Sequence, residues 1–160
     1  MRSITREGSV AAVVDATPEQ VWAVLTDVTR IGEWSHECRE AAWTGAGPQG
    51  PAVGASFRGR NTAGLVRWGR PCEITVSEPP RRFVYRTDGK LAGDCTEWAF
   101  DLEPVGSGTR IVQSFRVISL PRWAEMVICL LVPEHQDRRE ALVADLARLG
   151  RVAGGMHPQP

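Results

Sequence analysis

Hydrophobic positions alternate at the start of the chain and then change period. Residues 9–15 (Ser-Val-Ala-Ala-Val-Val-Asp) are rich in small and β-branched side chains, and a period of two sets Val10, Ala12 and Val14 on one face of a first strand. A helix signal follows. Thr17 as cap, Pro18 in the first turn and Gln20 three residues after the cap make a capping box, and Val21, Trp22, Leu25 and Val28 then recur at helical spacing. A second short helical turn is expected over 30–34. Beyond Glu37, clusters of Gly, Pro, Asn and Asp punctuate the chain at intervals of about ten residues, the rhythm of a meander. Six further strands are predicted, at 38–44, 55–61, 65–77, 82–87, 95–103 and 109–117. Their connections are too short for helical crossovers, so neighbours should pair antiparallel.

After Pro121 the helical period returns, with Leu142, Leu146 and Leu149 as a stripe and Gly154-Gly155 as a stop. Pro133 interrupts it. A proline inside a helix costs roughly 3 kcal/mol, so the helix should kink or start afresh near Val132. The expected organisation is a single domain over 1–153 and a disordered tail over 154–160.

Composition changes the picture in only a few places. At 160 residues and 42% hydrophobic, the chain is long enough for one full core. Lys plus Arg and Asp plus Glu number 19 each, so no global field attracts nucleic acid. The apolar run Met126 to Val132 is too short for a bilayer, and the first residues lack a secretory pattern; a cytoplasmic protein with no stable membrane insertion is expected. Cys38, Cys72, Cys95 and Cys129 form no C-x-x-C pair and read as free thiols. The sequence carries no G-x-S-x-G, P-loop or G-x-G-x-x-G motif, and no cofactor is expected.

Several local motifs occur together in a fixed order. They are Ala16-Thr17-Pro18-Glu19-Gln20-Val21-Trp22, then Leu25-Thr26-Asp27 leading to Trp34, Glu78-Pro79-Pro80-Arg81-Arg82-Phe83, Gly108-Thr109-Arg110-Ile111-Val112, and the closing leucine stripe. With the predicted element order, this set resembles the START-like superfamily (SRPBCC), which includes the polyketide cyclase/dehydrase proteins. The resemblance covers about residues 8–152. It implies an α+β helix-grip fold: a seven-stranded antiparallel sheet curled round a C-terminal helix, with two short helices between the first two strands. It also implies an elongated pocket between sheet and helix for a small lipophilic molecule.

Strand alternation then identifies the wall of such a pocket. Phe57, Gly59 and Asn61 share one row. Trp68, Arg70, Cys72 and Ile74 share the next, followed by Phe83 with Tyr85, by Trp98, Phe100 and Leu102, and by Ile111, Gln113, Phe115 and Val117. Gln113 is a polar amide in an apolar row, either bonded to a neighbour or offered to a ligand. Arg70 either reaches solvent past Trp68 or turns inward, where its planar donors suit a carboxylate, enolate or phenolate. Tyr85 is a core aromatic with a wet tip or a proton donor. Trp34, Trp43, Trp68 and Trp98 offer flat surfaces for rings. Counting back from Leu142 brings Arg138 or Arg139, then His135, then Leu131 towards the pocket, with no carboxylate spaced to orient His135. His36-Glu37-Cys38 and Glu134-His135 contain metal-ligand residue types, but neighbours in a strand point to opposite faces and no metal is expected.

Two functions compete on this reading. One is a binder of a small hydrophobic or aromatic, lipid- or polyketide-like molecule, gated by residues 34–38 and the break at Pro133. Its wall would comprise Trp34, Phe57, Asn61, Trp68, Arg70, Tyr85, Trp98, Gln113, Phe115 and His135. The other is a polyketide cyclase/dehydratase-type enzyme in which Arg70, Tyr85, Gln113 and His135 promote enolisation, aldol closure or loss of water. A weaker third reading, a protein-interaction module, would be favoured by an exposed apolar patch on the convex face of the sheet. Nothing in the sequence sets the oligomeric state.

Overall fold

The computed structural model describes residues 3–89 and 93–155, apart from the side chain of Glu134. Strand β1 (Glu7–Val14) buries Val10 and Val14, as the alternation requires. Helix α1 (Pro18–Thr26) begins at the expected box: Gln20 N donates to Thr17 Oγ1 at 3.2 Å and Thr17 N donates to Gln20 Oε1 at 2.9 Å. The next turn is a 3₁₀ helix over Val28–Glu33, started by Asp27, whose Oδ1 accepts from Thr29 N at 3.1 Å.

The meander consists of β2 (Cys38–Thr44), β3 (Ser56–Ala63), β4 (Val66–Glu78), β5 (Arg82–Gly89), β6 (Asp94–Val105) and β7 (Gly108–Ser119). With β1 they form one antiparallel sheet in the order β1-β7-β6-β5-β4-β3-β2, so the first two strands of the chain are its two edges. A register shift between Ile74 and Val76 breaks the β4–β5 ladder, a feature that sharpens bend and twist. Cross-strand pairing sets Asn61 opposite Trp68, Gly59 opposite Arg70, Tyr85 opposite Trp98, Trp98 opposite Phe115 and Phe100 opposite Gln113.

The C-terminal region is three pieces: α2 (Arg122–Leu131), a 3₁₀ turn (Pro133–Gln136) and α3 (Arg139–Gly154). Pro133 opens the 3₁₀ turn, so the helix starts afresh, as its ring demands. Gly154 closes α3, and residues 156–160 of the expected tail lie outside the described residues.

α3 buries Leu142, Leu146 and Leu149 against the inner face of the sheet, and Asp145 is buried on the same stripe. Two close approaches fix this arrangement. A Cβ on Gly150 would overlap the Val14 side chain, and one on Gly32 would overlap the Arg39 carbonyl, so glycine lets α3 rest on β1 and the 3₁₀ turn rest on β2. The convex face carries paired charges, including Arg60–Glu40 at 2.8 Å, Arg82–Asp101 at 2.6 Å and Arg86–Glu97 at 2.8 Å. The largest cluster of exposed apolar side chains is instead on α2, at Trp123, Met126, Val127, Leu130 and Leu131.

Candidate functional site

Between the sheet and α3 lies a cavity of about 80 Å³, walled by the rings of Trp34, Phe57, Tyr85 and Trp98 and by a larger set of polar side chains. Phe57, Asn61, Arg70, Tyr85, Trp98 and Gln113 all reach it from the strand faces that alternation assigned, and Trp34 closes it from the end of the first 3₁₀ turn. A second, mostly apolar recess of about 280 Å³ lies under α2, lined by Trp68, Trp123, Val127, Leu131 and His135 among others. Arg70 borders both spaces. Its guanidinium is turned inward and ion-paired with buried Asp94, which excludes the solvent-directed alternative.

The rings form a connected wall. Tyr85 stacks on Phe100 at 6.5 Å and meets Phe57 edge-on at 5.3 Å, while Trp34 meets Phe100 edge-on at 6.1 Å. Phe115 is buried beside Trp98 at 5.4 Å rather than on the cavity surface. Arg138 lies 5.7 Å from the centroids of both Trp98 and Phe115, a cation–π position. Arg138 is therefore the inward member of the arginine pair, and Arg139 is exposed. Burial lowers the Arg138 pKa, with nearby Glu37 opposing the shift.

Two polar atoms on this wall have no protein partner among the described residues. They are Gln113 Oε1 and Trp34 Nε1, on side chains from residues each 4% exposed. One is an acceptor and the other a donor. Burial pushes the Tyr85 phenol well above its ordinary range, so it is a neutral hydroxyl at physiological pH. Cys72 is likewise pushed up to about 12 by burial, and Cys38 to about 11, so both line the cavity as thiols.

His135 is placed differently from expectation. It is on the 3₁₀ turn beside the recess, edge-on to Trp68 at 5.9 Å, and its Nε2 is 3.1 Å from Glu37 Oε1. A carboxylate does orient it, contrary to the spacing argument. Glu37 is 98 residues away in sequence, beyond the reach of any local pattern. Burial alone would raise the Glu37 pKa; the hydrogen bond from His135 and the charges of Arg138, His135 and His36 reverse this and hold the carboxyl below its usual range.

His36 and Glu37 also depart from the strand argument. Both precede β2, so alternation does not separate them, and both line the cavity. His36 Nδ1 is 2.7 Å from Asp145 Oδ2, and its backbone N–H donates to Asp145 Oδ1 at 2.9 Å. Arg148 pairs with the same carboxylate and its Nε donates to the Trp34 carbonyl at 3.0 Å. The sequence held one sign of this site: Asp145 occupies the i+3 position of the stripe that begins at Leu142, where an apolar residue belongs. Among the described residues, no three His, Cys, Asp or Glu side chains are grouped to hold a metal, and no helix is long and apolar enough to cross a membrane.

A family model described as polyketide cyclase/dehydrase and lipid transport matches residues 5–148. The chain belongs to this family. Among solved structures it is similar to protein MLL2253 from Mesorhizobium loti, with 20% identity, a TM-score of 0.65 and coverage of 96% of this chain and 100% of that one. It is also similar to the polyketide-cyclase-like protein Cgl2372 from Corynebacterium glutamicum, with 25% identity, a TM-score of 0.54 and coverage of 96% and 97%. DynU16, a putative protein in the dynemicin biosynthetic locus, shares 18% identity at a TM-score of 0.61, covering 92% of this chain and 46% of its own. No curated protein matches the chain.

Proposed function

We propose that the protein binds a small aromatic, polyketide-like molecule between the sheet and α3, one that carries both a hydrogen-bond acceptor and a donor. The observation that carries this reading is the pair of unpartnered atoms, Gln113 Oε1 and Trp34 Nε1, on side chains of a wall that mixes aromatic rings with partnered polar groups. A buried polar atom without a partner costs about 1–3 kcal/mol, so a ligand oxygen facing Trp34 and a ligand hydroxyl facing Gln113 regain that energy. The rings of Phe57, Tyr85 and Trp98 suit a flat molecule. At about 80 Å³ the cavity is smaller than the roughly 300–1,000 Å³ of drug-sized sites. The recess under α2 is the adjoining space, and movement of the Arg70–Asp94 pair would join the two.

An enzyme of the cyclase/dehydratase type is the second reading. It is favoured by one observation: a histidine held by a buried carboxylate on the cavity wall. Native mass spectrometry of protein isolated from its own host tests the binding reading. A co-purifying small molecule is expected, and Gln113→Leu should bind it about tenfold more weakly, the worth of one hydrogen bond of about 1.4 kcal/mol. Equal binding by the variant would remove Gln113 from the site, and the lack of any bound or added aromatic ligand would remove the function.

A further inference from the structure

Asp145 is a carboxylate 3% exposed at its side chain, on the helix face that otherwise buries leucines. Such a group is stable only when its acceptor sites are filled, and here they are filled by the His36 ring, the His36 backbone and Arg148. As an acceptor, the carboxylate takes the hydrogen of His36 Nδ1 and leaves the lone pair of the ring on Nε2. The His36 side chain is 31% exposed and borders the cavity, and its Nε2 is 3.9 Å from Glu37 Oε2, outside hydrogen-bond range.

From this geometry we propose that His36 is a general base towards the bound ligand, with Asp145 as its positioning residue. The inference rests on the ligand-binding reading above. The substrate class is an aromatic ketone with a C–H next to the carbonyl, the flat kind of molecule that the rings of Phe57, Tyr85 and Trp98 suit. In the step, the C–H bond breaks, its electron pair becomes the enolate, and the proton forms a new N–H bond at His36 Nε2. The imidazolium then has Asp145 on one side and Glu37 on the other. The enolate oxygen is received by neutral donors on the same wall, the Trp34 indole N–H and the Tyr85 hydroxyl. Return of the proton from Nε2 regenerates the ketone, so the step needs no other reactant.

The test is deuterium incorporation next to the carbonyl of 2-tetralone in D₂O, followed by NMR, with saturation transfer reporting binding of the same probe. The native protein should speed exchange, and His36→Asn, which keeps a donor towards Asp145 but lacks Nε2, should lose about 100-fold while still binding. Asp145→Asn presents an amide N–H₂ to Nδ1 and reverses the ring tautomer, so it should lose a similar factor; the ¹⁵N shifts of the His36 ring report that reversal independently of activity. Exchange as fast in His36→Asn as in the native protein overturns the base assignment and leaves binding intact. Native exchange in Asp145→Asn with the tautomer reversed overturns the role of Asp145. Absence of saturation transfer from 2-tetralone and every larger ketone overturns both this inference and the binding reading.

Discussion

At the scale of single residues, polarity inside an apolar frame marks the site. Gln113 was legible from the sequence because strand alternation is strict: one amide in the row Ile111, Gln113, Phe115 had to be buried. His36 and Glu37 were not, because their contacts join residues 109 and 98 positions apart, and Asp145 showed only as a carboxylate within an apolar stripe. Glu37 has a consequence in solution. Its depressed pKa means that the folded state holds the charged form more firmly than the unfolded chain, whose value is near 4.5. The stabilisation is therefore present above about pH 4.5 and is lost as pH falls below it. Glu37→Gln should cost about 1.5–3 kcal/mol at pH 7, the worth of a hydrogen bond to a charged group. Thermal melts from pH 7 to pH 3 should show the native protein losing its advantage over the variant on the acid side. An unchanged difference across that range would mean that folding does not hold the Glu37 carboxyl below its ordinary pKa.

At the scale of elements, the C-terminal region divides its work. α3 is the structural grip, and α2 with the following 3₁₀ turn roofs the recess. The break between them was readable from Pro133, but the length of the interruption was not: Val132 to Arg138 lie between the two helices, so helical counting back from Leu142 loses its phase there. Leu131, expected towards the pocket, lines the recess under α2 instead while 51% exposed, and Arg138 is the inward one of the two expected arginines. Gly150 tests the grip. Alanine there gains up to about 1 kcal/mol in helix propensity but forces its Cβ into Val14, an overpacking worth about 1–3 kcal/mol. The clash should win, because Val14 is fixed in a strand ladder, and Gly150→Ala should lower the melting temperature by a few degrees. A rise in melting temperature would show that α3 does not press on β1 as described.

At the scale of the whole molecule, the antiparallel run from β2 to β7 and its inward rows follow from short connections and a period of two, whereas the pairing of β1 with β7 rather than β2 does not follow from those rules. The convex face carries arginine–carboxylate pairs among the described residues, not the apolar patch that would favour an interaction module there. What remains is a molecule whose unsatisfied chemistry points inward. The most direct test is to titrate ¹⁵N-labelled protein with aromatic ketones and phenols while following the Trp34 indole N–H and the Gln113 side-chain amide. A ligand in the cavity should move the Trp34 indole resonance downfield as it gains an acceptor and should show contacts to both side chains. Saturable binding that leaves both resonances unmoved would contradict the account.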